Sequence, residues 1–178
     1  MKPFKSVVIV KYPLDLVWTT IRDRLPEMVP MLGDVASITV LDRREDSGGI
    51  IGLVNEWRLR INIPTVLSAV VKPEMLGWID RAEWRDVTHK CRWAIEPFFL
   101  TEAVRCAGTT VYEPAIGGRG ARITFAGALD IDNARLGVIP TSLGIPVSAA
   151  LEMLVSTLIP KNFRKTTDAL AKLLGDAK

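Results

Sequence analysis

Residues 50–61 read Ile-Ile-Gly-Leu-Val-Asn-Glu-Trp-Arg-Leu-Arg-Ile. Ile51, Leu53, Asn55, Trp57, Leu59 and Ile61 fall on one face of an extended chain, and Glu56, Arg58 and Arg60 on the other. That period of two marks a strand in a sheet that is wet on one side only. The pattern repeats on both sides. Upstream, Ile38 and Val40 alternate with polar neighbours from Asp34 until Asp46-Ser47-Gly48-Gly49, a hairpin turn signal. Downstream, Leu76, Trp78, Asp80, Ala82 and Trp84 oppose Arg81, Glu83 and Arg85. After a turn near Val87-Thr88, Cys91, Trp93 and Ile95 oppose Lys90, Arg92 and Glu96. Val104, Cys106, Gly108, Thr110 and Tyr112 share the inner face, Gly117-Gly118-Arg119-Gly120 turns the chain, and Ile123, Phe125, Gly127, Leu129 and Ile131 return. These six strands form an antiparallel meander. The stretch from Ile63 to Pro73 interrupts it with no assignable state.

The flanks differ in period. Phe4 to Tyr12 is Val- and Ile-rich and ends at Pro13, which predicts a first strand. Leu14, Val17, Trp18, Ile21 and Leu25 then step by three and four, giving a short amphipathic helix, and Pro26 and Pro30 set off a second helical turn. At the other end Val147, Leu151, Leu154 and Leu158, then Leu170, Leu173 and Leu174, mark a terminal helix that Pro160 splits into rods near Pro146–Ile159 and Lys161–Leu174. No internal repeat or linker divides the chain, so one domain over 1–178 is expected.

Composition bounds the function. The 178 residues are 48% hydrophobic and 24% charged, enough for a sizeable core and against disorder. The formal charge of +3 is spread without a basic run, which argues against a nucleic-acid binder. Two cysteines, Cys91 and Cys106, and one histidine, His89, leave no set of Cys and His ligands for a metal, and no cofactor is expected. The cysteines read as two buried thiols on neighbouring strands, and a cytoplasmic location is the default. The Lys-bounded apolar run near the N-terminus is too short for a signal peptide. Leu136 to Leu151 is uncharged but broken by Gly137, Pro140, Gly144 and Pro146 and is too short to span a bilayer. It reads as a lid over a cavity mouth, a transient membrane contact, a partner-binding surface, or an apolar loop packed on its own domain.

The order of strand, two short helices, antiparallel meander and long helix resembles the helix-grip fold of the Bet v 1-like superfamily, also known as the START, polyketide cyclase and lipid transport group (SRPBCC). Tyr12-Pro13-Leu14-Asp15-Leu16-Val17-Trp18 is similar to its opening, where a proline turn leaves strand one and a Val-Trp pair begins the first helix. Leu25-Pro26-Glu27-Met28-Val29-Pro30 resembles its second short helix. Glu113-Pro114 to Gly120, followed by Ala121-Arg122-Ile123-Thr124, resembles its penultimate hairpin. The apolar connection after Asn133 and Pro160 in the last helix depart from that pattern. The resemblance implies an α+β fold in which a curved sheet of about seven strands wraps a kinked C-terminal helix around a hydrophobic cavity.

Trp57, Trp78, Trp84 and Trp93 all fall on inward faces, where they either line a cavity or pack a filled core. In the first case the expected walls are these four with Tyr112 and Phe125 from the sheet, and Leu151, Leu154, Val155 and Leu158 from the helix. Asn55 and Asp80 are then the polar anchors. The ligand is a lipid, quinone, polyketide or sterol-like molecule in a space of a few hundred Å³. No catalytic residue is assigned. Asp80 as acid or base and Tyr112 as donor to a carbonyl are the candidates for a cyclase or dehydratase. Against this, Asp80 can lie solvated near a strand end or be turned outward by a bulge. His89, at a turn, is expected to be solvent-exposed. Gly117 to Gly120 lacks the lysine and helix of a phosphate loop, and Asp130-Ile131-Asp132-Asn133 lacks the glycine and distal glutamate of a calcium loop.

Overall fold

The computed structural model describes residues 1–60, 62, 72–98, 101–132, 134–135 and 163–175. Its strands are β1 (Lys2–Val10), β2 (Val35–Glu45), β3 (Ile50–Leu59), β4 (Gly77–Arg85), β5 (Lys90–Pro97), β6 (Val104–Ala115) and β7 (Gly120–Ile131). Helix α1 is Leu14–Asp23, and α2 spans residues 163–175. One seven-stranded antiparallel sheet runs in the order β1-β7-β6-β5-β4-β3-β2. The meander is therefore sequential from β2 to β7, and the first strand closes on the last. The fold is the α+β helix-grip architecture expected above.

Local chemistry explains the elements. Strand β1 begins and ends two residues earlier than its hydrophobic run implies, because Lys11 and Tyr12 already bend toward Pro13. Helix α1 buries Val17, Trp18, Thr20 and Ile21 on one side. The two prolines after it hold Leu25–Met31 in a 3-10 helix that buries Leu25 and Met28. The β2–β3 turn is held by Asp46, whose Oδ1 accepts from the amides of Gly48 and Ile50 at 2.8 and 2.9 Å, with Gly49 at φ 72°. Within the unassigned Ile63–Pro73 stretch, residues 63–71 lie outside the described set, and Pro73–Met75 is a 3-10 turn leading into β4.

The concave face carries the core. Strand β1 turns Ser6 and Val10 inward and leaves Val7 and Ile9 exposed. Helix α2 lays Thr167, Ala169, Leu170 and Leu174 against the buried cluster. Tyr12 donates its hydroxyl proton to the Ala171 carbonyl at 3.3 Å, and Lys165 pairs with Asp34 just before β2. The segments just after β1 and just before β2 thus both hold α2. The rod expected near Pro146–Ile159, Pro160 itself and the Leu136–Leu151 connection lie outside the described residues. No helix among the described residues is long and apolar enough to cross a membrane.

Candidate functional site

Pairing of β3 with β4 sets Trp57 opposite Trp78, Asn55 opposite Asp80, Leu53 opposite Ala82 and Ile51 opposite Trp84. All of these pairs are on the concave side. Strand β5 adds Trp93 opposite Ala82, and Thr110, Tyr112 and Phe125 follow on β6 and β7. Trp57, Trp78, Asp80, Ala82 and Trp84 of these pairs, with Trp93, Thr110, Tyr112 and Phe125, with Ile21 and Leu25 from the first helical segments and with Phe163, Thr166 and Thr167 from α2, line a half-open cavity of about 140 Å³. That volume is below the few hundred Å³ expected.

Two stacked groups make up those walls. Trp93, Phe125 and Phe163 form a nearly parallel column with centroids 4.7 and 4.6 Å apart and tilts of 11° and 10°. Trp57 and Trp78 stack at 5.3 Å with a tilt of 19°. The column fits because Gly108 and Gly127 face each other in the β6–β7 register beneath Trp93. A Cβ on Gly108 would stand 2.4 Å from the Trp93 ring and 2.2 Å from the Ala126 carbonyl oxygen. Trp18 meets Trp84 and Tyr112 edge-on at 4.9 and 5.0 Å.

Asp80 settles one of the alternatives left open above. It stands in the middle of β4, paired with Asn55 on one side and Ile95 on the other, with no bulge on β4 to turn it outward. It lines the cavity. Burial pushes its pKa up to about 6, and the Asn55 amide, donating to Oδ2 at 3.5 Å, pulls weakly the other way. Burial, and then the charges of Asp80 and Glu83, drive the Cys91 thiol up. Burial, then Cys91 and Asp80, do the same for the Tyr112 phenol. Tyr112 and Cys91 therefore stay neutral, while Asp80 changes charge near neutral pH. A carboxyl group in that range can give or take a proton at a bound carbonyl compound.

Four of the five indole donors divide into two kinds. Trp93 donates Nε1–H to Thr110 Oγ1 at 3.1 Å, and Trp18 to Asp86 Oδ1 at 2.7 Å. Trp57 and Trp84, 7% and 6% exposed, have buried Nε1 atoms with no hydrogen-bond partner.

Of the residues expected at the site, Trp57, Trp78, Asp80, Trp84, Trp93, Tyr112 and Phe125 line the cavity. Asn55 is buried beside it and supports Asp80 rather than bordering the space. Leu151, Leu154, Val155 and Leu158 lie outside the described residues. Several lining residues were not anticipated: Ile21, Leu25, Ala82, Cys91, Ile95, Thr110, Phe163, Thr166 and Thr167. Phe163, Thr167, Leu170 and Leu174 recur at helical spacing, so the stripe that identified Leu170 and Leu174 also pointed to Phe163.

His89 corrects an expectation. It sits at the turn after β4 with φ 48°, but it packs edge-on against Trp18 at 5.2 Å, and only 28% of its side chain is exposed. Its Nε2 lies 3.4 Å from Asp15. Cys91 and Cys106 are free, buried thiols on adjacent strands, as read from the sequence. Cys106 pairs in register with Ile95, four residues beyond Cys91. Among the described residues no group of three or more His, Cys, Asp or Glu is placed to hold a metal.

A shallower depression of about 450 Å³ lies on the outward face over Gly52, bordered by Asp42, Arg44, Arg81, Glu83 and Arg92. Arg44 pairs with Asp42, and Arg81 with Glu96, at 2.8 and 2.9 Å. It is larger but open and charged, an ordinary solvated sheet surface. The aromatic-lined cavity on the concave face is the better candidate site.

No family model matches the chain, and no curated protein matches it. Solved structures do. TTHA0849 of Thermus thermophilus superposes with a TM-score of 0.65 at 20% identity over 99% of both chains. An aromatase/cyclase of a Streptomyces species gives 0.64 at 14% identity, over 96% of this chain and 92% of that one. Norcoclaurine synthase of Thalictrum flavum gives 0.61 at 12% identity, over 97% and 86%. At such identities the likeness is one of fold, and the fold of this chain is the helix-grip architecture that its resemblance to the Bet v 1-like superfamily implied.

Proposed function

We propose that this chain binds a hydrophobic small molecule non-covalently in the cavity between the concave sheet and α2. The observation that carries the reading is the lining of the cavity: stacked rings border it, and among the described lining residues a single carboxyl group, Asp80, does so too. Apolar lining with few convergent polar groups is the usual character of a small-molecule site. Similar structures include an aromatase/cyclase and a norcoclaurine synthase complexed with dopamine and hydroxybenzaldehyde, which agrees with small-molecule binding in this fold.

Native and denaturing mass spectra of protein purified from its own host test the reading. The expected result is a hydrophobic adduct present only under native conditions. Ala82→Leu, which fills the cavity from its floor, should abolish the adduct while leaving the unfolding midpoint within a few degrees. An adduct that persists unchanged in Ala82→Leu overturns the assignment to this cavity.

A second reading is favoured by Asp80, whose pKa of about 6 suits proton transfer near neutral pH. In it the chain is a cyclase- or dehydratase-like enzyme, and Asp80 removes a proton beside a carbonyl of the bound compound. Asp80→Asn then retains the adduct and stops conversion. Undiminished conversion in that variant eliminates Asp80 as the base.

A further inference from the structure

We propose that the cavity takes up its ligand together with one proton: an uncharged apolar molecule binds the chain in which Asp80 carries that proton, and leaves as the carboxyl group ionises. The inference rests on the binding reading above and adds to it the charge of the ligand and the condition for its release.

Asp80 is the only charged side chain among the described lining residues, and it is half-buried. Its one hydrogen bond among the described residues comes from the Asn55 amide on β3, at the long distance of 3.5 Å. Strand β5 offers the Cys91 thiol, and β6 the Cys106 thiol and the Tyr112 phenol, all pushed upward by burial and so neutral where Asp80 titrates. The first helical segments bring Ile21 and Leu25 to the lining, and α2 brings Phe163, Thr166 and Thr167, none of them charged. Of the cations in the same turn of α2, Lys165 is paired with Asp34, and Arg164 lies exposed against Ser6. Glu83, facing outward on β4, is paired with Arg85. No positive charge on the described lining therefore compensates an Asp80 carboxylate.

An ionised carboxyl group with one weak donor depends on water for the rest of its solvation, and a half-open cavity admits it. A ligand that fills the space without a charge or a donor of its own displaces that water. It binds beside a neutral carboxyl group at little electrostatic cost and beside a carboxylate at a large one. Linkage makes the effect reciprocal: whatever factor the proton adds to ligand affinity, the ligand adds to proton affinity. Without ligand the group is half-protonated near pH 6. Affinity is then level below that point and falls as pH rises through it, by roughly tenfold between pH 5 and pH 7.

Benzene, which an engineered cavity of about 150 Å³ holds, and cyclohexane, its saturated counterpart, are titrated calorimetrically into the full chain at pH 5 and pH 7. Each pH is run in two buffers of different ionisation enthalpy, which counts the protons taken up on binding. Both probes are expected to bind roughly tenfold more tightly at pH 5, with uptake of close to one proton per ligand at pH 7 and almost none at pH 5. Asp80→Asn should bind roughly tenfold more tightly than the parent at pH 7, match it at pH 5, and take up no proton at either. His89, which reaches the lining through Trp18 against Trp84 and Tyr112, is the competing source of such a profile. His89→Gln should leave both the profile and the proton count unchanged. Affinity that is flat or rising from pH 5 to pH 7 overturns the proposal and leaves the binding reading standing, as does proton uptake that survives in Asp80→Asn. Failure of both probes to bind at pH 5 overturns it as well, and an adduct in the native mass spectrum then separates a charged or polar ligand from a wrong function.

Discussion

Asp80 holds its carboxyl group where ionisation is unfavourable, and its pH dependence is the most direct consequence. The folded pKa of about 6 lies above the ordinary 3.8, so the folded chain binds the proton more tightly than the unfolded one. Stability therefore falls as pH rises from about 4 to about 6, and the full penalty persists above that. The shift corresponds to about 3 kcal/mol. Asp80→Asn, which keeps the shape and cannot ionise, should be more stable than the parent at pH 8 by up to about 3 kcal/mol and near parity at pH 4. Denaturant midpoints at the two pH values check this, and equal differences at both would mean that the carboxyl group is solvated. The inward position of Asp80 was legible from alternation with Trp78 and Ala82. Its freedom from a bulge was not, because that depends on the unbroken register with both Asn55 and Ile95. The unsatisfied state of the Trp57 and Trp84 donors was equally hidden. A ring nitrogen finds its partner on another strand, as Trp93 does at Thr110, and no local pattern encodes that meeting.

At the scale of elements, α2 is held by a small number of different contacts. Leu170 is fully buried, Phe163 stacks on Phe125, Lys165 pairs with Asp34, and Ala171 accepts from Tyr12. Leu170→Ala should destabilise the chain by about 2–5 kcal/mol, the range for emptying a core leucine site, and the half-buried Leu173→Ala by clearly less. Thermal unfolding of the pair checks the ordering, and equal losses would mean that α2 presents a different face. The strands were legible because charged residues recur at alternate positions, Glu56 and Arg58 in β3, Arg81, Glu83 and Arg85 in β4, and Lys90, Arg92 and Glu96 in β5, against mostly apolar neighbours. The helix was legible in period but not in partners. Phe163 meets Phe125, nearly forty positions earlier in the chain, and no spacing rule brings those two rings together.

Across the whole molecule, the topology puts the first strand beside the last. Val10 pairs with Ala121, so this edge of the sheet closes a loop of more than a hundred residues, while β2 to β7 pair with their neighbours in sequence. Closing a long loop is entropically slow, and distant pairings limit folding rates. Val10→Ala, at a buried position, should cost about 1–3 kcal/mol and act almost wholly on the unfolding rate, the behaviour of a strand whose long-range pairing forms after the folding barrier. Stopped-flow chevrons check this, and an equal slowing of refolding would place β1 in the nucleus. The strand order itself was foreshadowed by the resemblance, since alternation identifies strands and not their neighbours.

The gathering of tryptophans on one wall also has an optical consequence. Trp57, Trp78, Trp84 and Trp93 border the cavity, and Trp18 touches Trp84 edge-on, so every indole in the chain is on the lining or one ring away from it. Near-ultraviolet emission from this protein therefore comes from the cavity and its immediate surround. An occupant with a conjugated carbonyl should quench that emission, whereas a saturated lipid chain should brighten it and shift it to the blue. The wall thus carries its own reporter, readable without label or tag.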